Sequence, residues 1–420
     1  MRFAYRSLRE SHQQFPYLSA KRIPRRRWKP SKIQAAKIRQ ITMPQPAKSR
    51  RQRKESNSPE LSWSKDTELL GLVFELQPKT DAFLYPQYTI GLHAWLLDQV
   101  RSFDPELSAY LHDGQSEKPF TISGLEGALQ PVGKEFLVQA SQTYRWYVTA
   151  LSAKVVQWLT QWMKALPEEV ALRNVPLVIK SCKIALPAMT YKQLWEAERS
   201  SSTLKLSFVT PTSFRRKKHH FPLPLPFNVF HSYLRRWNDF SGMPFEQDAF
   251  LDWVDENVIV QQVKLESCKV QAGKKGSVTG FVGAIEYALS KEGQERSEFT
   301  QLFYTLGRLA PYCGTGHKTT FGLGQTRNGW LSSEDIPTAP TVEDLLGQRI
   351  AQLTEIFVSQ RKRIGGERAR EIAETWATIL ARRELGESLQ VIAEDLEMPY
   401  QTVKTYVKLA RAALKTDLQH

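Results

Sequence analysis

Residues 312–330 restrict the possible folds of this chain most strongly, because they place two pairs of glycines between two regular segments. Their sequence is Y-C-G-T-G-H-K-T-T-F-G-L-G-Q-T-R-N-G-W. An apolar pattern typical of a helix precedes the glycines, and the alternation typical of a strand follows them. Glycines permit positive φ and let backbone N–H groups approach an anionic chain closely. The glycines and the polar insert between them are Gly314, Gly316, His317, Lys318, Gly322 and Gly324.

The order of elements around these glycines argues against the usual nucleotide loops. A dinucleotide fingerprint needs a strand, then glycines, then a helix whose N-terminus holds the phosphate. Here the helix comes first, and the spacing G-x-G-x5-G-x-G fits neither that fingerprint nor the Walker loop. We therefore interpret the stretch as a loop that contacts an anionic chain, with a plain hairpin turn as the alternative.

Composition narrows the class of protein. A chain of 420 residues with 41% hydrophobic content can bury two or three cores of ordinary domain size. The three cysteines, Cys182, Cys268 and Cys313, form no C-x-x-C pair, so the sequence predicts neither a disulfide framework nor a zinc site. This pattern fits a reducing cytoplasm. The sequence contains no run of eighteen apolar residues and no signal-peptide core, so we expect a soluble, cytoplasmic protein without a membrane partner.

The positive charge is concentrated near the N-terminus. Residues 1–60 carry 17 Lys and Arg against 3 Asp and Glu, which accounts for nearly all of the net charge of +15. This segment has prolines and little periodicity, so we predict a basic, flexible arm over residues 1–62. Such an arm binds phosphates without sequence preference, and a solvated leader is the alternative.

Residues 63–190 predict a β-α-β-β-α-β unit. The apolar patterns indicate a strand at 68–76, a helix at 88–100, a segment at 107–125, a strand at 144–150, a helix at 151–166 and a strand at 175–186. This order is that of a ferredoxin-like fold, in which two helices cover one face of a four-stranded antiparallel sheet.

Residues 200–332 repeat the pattern. We expect strands at 203–209, 258–270, 277–288 and 321–327, and helices at 228–240 and 298–310. The predicted fold class is therefore α+β, with two tandem ferredoxin-like (RRM-like) βαββαβ domains that leave a cleft between their sheets.

The C-terminal part is predicted to be all-α. Residues 333–366 are interpreted as a linker and a helix over 342–363 that Gly365 and Gly366 break. Residues 367–420 predict a helix-turn-helix, with a turn at 397–399 and apolar residues Ile392, Ala393, Leu396, Val403, Val407 and Ala410. About 50 residues here resemble the DNA-reading region of sigma-factor-type regulators. That resemblance assigns nucleic-acid contacts to Gln401, Thr402, Lys404 and Lys408.

Five stretches between residues 66 and 330 together resemble the CRISPR-associated endoribonucleases that cut precursor CRISPR RNA, members of the RAMP superfamily. In chain order they are L-H-D…K-P-F-T-I-S (111–123), F-V-T-P-T-S-F-R (208–215), F-H-S-Y-L-R-R-W-N (230–238), T-G-F-V-G (279–283) and the glycine-rich loop with its preceding helix. The resemblance implies two ferredoxin-like domains and cleavage of CRISPR repeat RNA to mature crRNA. It also implies other CRISPR effector subunits as partners.

Metal-independent RNA cleavage needs a base for the 2′-OH, positive charge at the phosphorane and an acid for the leaving 5′ oxygen. A histidine suits the first or last role, and a lysine or tyrosine the second. The resemblance assigns catalysis to His112 and Lys118. Archaeal members of the family also carry a tyrosine on the first helix, where this chain has Leu97. Tyr110 or His93 is the candidate for that open role.

Two regions are expected to hold the RNA. One is the basic run Arg215, Arg216, Lys217 and Lys218, followed by two histidines, in a hairpin or loop. The other is the glycine-rich loop, through its backbone N–H groups and through His317, Lys318 and Arg327. The sequence contains no cluster of carboxylates typical of a metal site, so we expect neither metal nor cofactor. Cleavage by 2′-OH attack is expected to leave 5′-OH and 2′,3′-cyclic phosphate ends.

Two alternatives stay open on the sequence. One is a non-cutting subunit that holds crRNA in an effector complex, since Leu97 departs from the family pattern. The other is a DNA-binding regulator that acts through the helix-turn-helix. That region also suits docking of a protein partner.

Overall fold

The computed structural model describes residues 61–112, 117–173, 175–199, 201–217, 219–271, 277–332, 341–360 and 367–417. Most of the predicted basic arm, Lys218 and the glycine pair at 365–366 lie outside these residues. The described residues form a first domain (residues 69–196), a second domain (residues 204–328) and a C-terminal helical region (residues 342–417). Within them, no helix has the length and apolar character needed to cross a bilayer.

The first domain is built on an antiparallel sheet. Its elements are β1 (Leu69–Pro78), β2 (Ala82–Leu84), α1 (Tyr88–Phe103), α2 (Pro105–His112), β3 (Phe120–Glu126), β4 (Gln130–Val132), β5 (Glu135–Val138), β6 (Tyr144–Ala150), α3 (Ala153–Lys164), β7 (Glu169–Leu172), β8 (Val175–Met189) and α4 (Tyr191–Glu196). The main sheet has the order β3-β6-β1-β8-β7. Without β7, this is the 2-3-1-4 order of a βαββαβ unit. The small sheet β2-β5-β4 was not predicted.

Aromatic packing fixes α3 on this sheet. The apolar stripe of α3 is buried, and its Trp162 ring lies 5.6 Å from Phe74 on β1. Phe74 also contacts Trp146 on β6, with 5.5 Å between the ring centroids. The apolar residues that recur about every 3.6 residues on α3 and every second residue on β1 therefore face the same core.

The second domain has the same strand order. Its elements are β9 (Leu204–Thr212), β10 (Phe214–Arg216), β11 (His219–Phe221), α5 (Pro226–Phe240), α6 (Gln247–Asn257), β12 (Val258–Gln271), β13 (Ser277–Leu289), α7 (Lys291–Glu295), α8 (Ser297–Cys313) and β14 (Thr326–Asn328). The sheet order is β12-β13-β9-β14, and β10 and β11 form a separate hairpin.

The predicted strand at 321–327 is mostly wrong. A 3-10 turn spans Thr319–Phe321, and only Thr326–Asn328 pairs with β9. Gly322 and Gly324 have φ of 84° and 70°, so the backbone between the turn and β14 cannot extend.

The C-terminal region contains four described helices: α9 (Val342–Ser359), α10 (Glu367–Glu384), α11 (Leu389–Asp395) and α12 (Tyr400–Asp417). The first of them is not a mere linker, because Leu345 on α9 is 1% exposed and belongs to the core of the first domain. Arg349 on α9 pairs with Glu384 on α10 at 2.8 Å. Helix α9 therefore joins the helical region to the body of the protein.

Helices α11 and α12 pack on each other through the predicted apolar residues Ile392, Ala393, Val403 and Val407, together with Ile379 of α10. The turn is one residue longer than predicted, since α11 ends at Asp395 and Leu396 caps it. Glu397 in this turn has φ of 51°, which reverses the chain between the two helices.

Candidate active site

His93 joins the first domain to the glycine-rich loop of the second. Its Nδ1 atom lies 2.9 Å from the carbonyl oxygen of Thr320, and its ring stacks on Phe321 at 4.2 Å. A carbonyl oxygen only accepts hydrogen bonds, so Nδ1 carries the proton and Nε2 keeps its lone pair. Burial lowers the pKa of His93 to about 4, with smaller contributions from the positive charges of His112 and Lys118.

The positive charges of His112 and Lys118 act on His93, so both residues lie near it. The structure places His112 at the end of α2. Asp104 accepts a hydrogen bond from the Leu107 N–H at 2.8 Å and Pro105 takes the first helical position, so a second helix starts directly after α1. His112 is exposed and Lys118 is half-buried. Three residues predicted for catalysis are thus brought together.

Leu97, at the position of the expected helix tyrosine, and Tyr110, the other candidate for the open role, lie elsewhere. Leu97 is 4% exposed and belongs to the core of the first domain, so its position cannot present a side chain to the site. Tyr110 lies on α2 and is 40% exposed. Residues two apart on a helix do not face each other, so Tyr110 points away from the side that His112 occupies.

The N–H groups of the glycine-rich loop are largely engaged within the protein. Their bonds run from Gly314 to Ala310 O, from Thr315 to Gly324 O, from Gly316 to Ser232 Oγ, from His317 to Ser213 O and from Gly324 to Pro211 O. These donors are unavailable to a phosphate, contrary to the expectation from the sequence. The glycines serve close packing instead, since a Cβ on Gly316 would collide with the Ser213 carbonyl.

The side chains of the loop face the β10–β11 hairpin. The His317 Nδ1 atom lies 2.8 Å from Ser213 O, and the His317 ring stacks on His220 with 5.3 Å between centroids. Burial lowers the pKa values of His317 and of Lys318, and Arg215 adds to both effects. The loop and the hairpin therefore form one basic surface.

The basic run forms the tip of that hairpin. Arg215, Arg216 and Lys217 are exposed, and Lys217 has φ of 53° at the turn. Arg216 lies over the ring of Phe221, 5.7 Å from its centroid. The hairpin thus holds its cations at the surface, where an anionic ligand can reach them.

A cleft of about 500 Å³ lies between the two domains. Strands β1, β6 and β8 line one side of it, and the glycine-rich loop and β14 line the other. Arg327 reaches across to Glu126 at 2.6 Å and lies over the ring of Tyr147. The Glu126 contact was not predicted from the sequence, because it joins residues 201 positions apart.

Sequence reasoning also missed a charged cluster beside Lys118. Glu117 pairs with Arg235 at 2.8 Å and with Arg236 at 3.6 Å, and Arg236 is only 5% exposed. Both arginines belong to the F-H-S-Y-L-R-R-W-N run, and its part in the family resemblance was the sequence signal that could have pointed to this cluster. Among the described residues, no group of three or more His, Cys, Asp or Glu is arranged to hold a metal ion.

The residues suggested for nucleic-acid contact in the C-terminal region lie in the first half of α12. Gln401, Lys404 and Lys408 are exposed, and Thr402 is half-buried. Lys404, Lys408 and Arg411 follow one face at spacings of four and three residues. This face belongs to the C-terminal helical region, whereas His93, His112 and Lys118 belong to the first domain.

Two family models match the two domains of this chain. A family model for the CRISPR Cas6 N-terminal domain matches residues 70–196, and one for the CRISPR-associated endoribonuclease Cas6 matches residues 206–326. No curated protein sequence matches the chain. Among solved structures, a Cas6 product complex from Thermus thermophilus is 25% identical with a TM-score of 0.53, and the match covers 62% of this chain and 100% of that chain.

A second Cas6 product complex is 28% identical with a TM-score of 0.49, and the match covers 62% of this chain and 99% of that chain. The two family models together match more than half of the 420 residues, one on each domain. The helical region from α9 to α12 lies outside both matches. The chain therefore belongs to the Cas6 family of CRISPR-associated endoribonucleases, with a C-terminal helical region in addition.

Proposed function

We propose that this chain cuts CRISPR repeat RNA in precursor crRNA by a metal-independent reaction, and that mature crRNA is the product. The observation that carries the proposal is the proximity of His93, His112 and Lys118 beside the glycine-rich loop. Two imidazoles and an ammonium group can supply the base, the acid and the positive charge that 2′-OH attack on a phosphodiester needs.

His93 is suited to act as the base. The Thr320 carbonyl holds the Nδ1 proton, so the Nε2 lone pair is the atom that takes the proton of the 2′-OH. A pKa of about 4 keeps the ring neutral but makes it a weak base, so its position rather than its basicity supports this role. The 2′ oxygen then bonds to phosphorus, and the bond from phosphorus to the 5′ oxygen breaks. His112 donates a proton to that leaving oxygen, and Lys118 stabilises the negative charge of the phosphorane. The ends are a 2′,3′-cyclic phosphate and a 5′-OH.

The basic surface of the hairpin and loop is proposed to hold the repeat RNA. Arg215, Arg216 and Lys217 suit phosphate contacts, and His317 and Lys318 face the same surface. Arg327 lies in the cleft, where it forms an ion pair with Glu126. Lys218 follows Lys217 in the sequence and is proposed to contact the RNA as well. The glycines Gly314, Gly316, Gly322 and Gly324 contribute by shaping the loop.

The test is cleavage of end-labelled repeat RNA in EDTA by the intact chain and by His93→Ala, His112→Ala and Lys118→Ala. We expect cleavage by the intact chain, and a loss of about a hundredfold or more in each variant. Tyr110→Phe, on the same helix as His112, serves as the matched control and is expected to keep its rate. Full activity of His112→Ala would contradict the assignment. Tight binding of repeat RNA without cleavage by the intact chain would instead favour the non-cutting subunit of an effector complex.

A second function is proposed for the C-terminal helices. The exposed row Lys404, Lys408 and Arg411 on α12, with Gln401 and Thr402 at its start, supports contact with duplex DNA. A shift of duplex DNA by the intact chain, lost on replacing the three cations by alanine while RNA cleavage persists, would support this. If no shift occurs at low salt, docking of a protein partner such as another effector subunit is the better assignment.

A further inference from the structure

We infer that Glu117 and Arg236 form a positioning pair that holds Lys118 against the glycine-rich loop across the domain boundary. The inference rests on the proposed role of Lys118 in cleavage. Neither residue is placed to touch the scissile phosphate in this proposal. They act through the backbone segments on either side of the site.

Arg236 is a buried cation whose guanidinium donates three hydrogen bonds and faces one carboxylate. Its Nη1 atom donates to the carbonyl oxygen and the hydroxyl of Ser232 at 2.7 and 2.8 Å, and its Nη2 atom donates to Gly316 O at 3.0 Å. Its Nε atom lies 3.6 Å from Glu117. A buried charge needs a nearby opposite charge, and Glu117 supplies it from the other domain.

The Glu117 carboxylate bridges two arginines of α5. One oxygen lies 2.8 Å from Arg235, and the other faces Arg236. Arg235 is half-exposed, whereas Arg236 is buried, so the carboxylate is held at the edge of the second domain. Removal of its charge would leave Arg236 buried without a countercharge.

Lys118 lies between two fixed points. On one side Glu117 is held by α5 of the second domain. On the other side the Pro119 carbonyl accepts a hydrogen bond from the Leu151 N–H at 2.9 Å, within the first domain. A residue between two such anchors has a restricted backbone, which lowers the cost of placing its side chain at the phosphate.

The same arginine also fixes the other side of the site. Arg236 holds the Gly316 carbonyl, and the Gly316 N–H donates to Ser232 Oγ at 2.9 Å. Four residues further along the loop, the Thr320 carbonyl binds His93. One guanidinium thus connects the segment of Lys118 to the loop that orients His93.

The first test is single-turnover cleavage of repeat RNA by Glu117→Gln, which keeps the shape of the side chain but removes its charge. We expect the rate at saturating protein to fall by about tenfold or more, while the Kd for the RNA changes by less than about twofold. The matched control is Tyr312→Phe, which removes another cross-domain hydrogen bond, from the Tyr312 hydroxyl to Pro187 O at 2.8 Å. This control is expected to lower the melting temperature without changing the rate.

A double-mutant cycle separates positioning from mere stability. If Glu117 acts through Lys118, Glu117→Gln has an effect of less than about twofold in the Lys118→Ala background. An equal loss of rate in both backgrounds, or full activity of Glu117→Gln when Lys118→Ala is impaired, would overturn the inference and leave the proposed function standing. Full activity of Lys118→Ala would overturn the inference and the role of Lys118 but leave cleavage standing, whereas no cleavage by the intact chain would overturn the proposed function. Glu117→Asp, which keeps the charge, is the second variant if Glu117→Gln does not fold, and an intermediate rate is expected for it.

Discussion

The Nδ1 atom of His93 lies 2.9 Å from the carbonyl oxygen of Thr320, although 227 residues separate them in the chain. This hydrogen bond connects the first helix of one domain to the glycine-rich loop of the other. The His93 imidazole is therefore oriented by the second domain, although His93, His112 and Lys118 all belong to the first. Loss of this contact would remove the orientation of the imidazole together with the position of the loop.

Acid should destabilise this protein partly through His93. The pKa of His93 in the folded protein, about 4, lies below the ordinary value of 6.5. Its contribution to stability is therefore complete above pH 6.5 and is lost as the pH falls through 4. A shift of this size corresponds to about 3 kcal/mol, because one pKa unit is 1.36 kcal/mol.

Chemical denaturation at several pH values measures this contribution. The free energy of unfolding of the intact chain should fall between pH 7 and pH 4 by about 3 kcal/mol more than that of His93→Gln. The difference between the two proteins therefore reports the loss of the His93 imidazole. Parallel pH profiles of the two proteins would refute the assignment.

Substitution of Gly316 by alanine should destabilise the fold more than the same change at Gly242. Both glycines have positive φ, 78° and 68°, so both substitutions strain the backbone by about 1–2 kcal/mol. At Gly316 the new Cβ would also meet the Ser213 carbonyl, whereas nothing lies within 4 Å at Gly242. The additional cost is expected to be at least about 1 kcal/mol in the free energy of unfolding. Equal costs at the two positions would show that the loop yields to the methyl group.

Arg215→Ala should weaken RNA binding in a salt-dependent way. Arg215 is exposed at the hairpin, where it is proposed to contact a phosphate. Loss of one phosphate contact lowers the magnitude of the slope of log K against log salt by about 0.7–0.9. Lys192→Ala on α4, an exposed lysine that faces Glu196, is the control and should leave the slope unchanged. An unchanged slope for Arg215→Ala would place the RNA elsewhere.

Helix α9 should behave as part of the first domain. Leu345 is 1% exposed in the core of that domain, so Leu345→Ala is expected to lower the free energy of unfolding by about 2–5 kcal/mol. Leu409 on α12 is 43% exposed, and Leu409→Ala should change it by less than about 0.5 kcal/mol. Thermal or chemical unfolding of the intact chain compares the two. A small effect at Leu345 would mean that α9 is a detachable linker.

The sequence predicted most of the regular elements correctly because their periodicity is local. The apolar stripe of α3 and the buried β1 strand show their spacing within a few residues, and the strand order of both domains agrees with the pattern read from them. The short elements were missed. Helix α2 and the small sheet β2-β5-β4 are too brief to show a period, and α2 starts on the capping chemistry of Asp104.

At the site, the sequence by itself determined which side chains with the right chemistry are present: two histidines, a lysine and a basic run. Only the tertiary structure decided where they lie and which groups they contact. It brought His93 to Thr320, buried Leu97 in the core, engaged the glycine N–H groups within the protein and paired Glu117 with Arg236. The physical reason is that hydrophobic periodicity reports which face of a segment is buried. The partner of a polar group instead depends on segments far apart in the chain, which meet only in the folded protein.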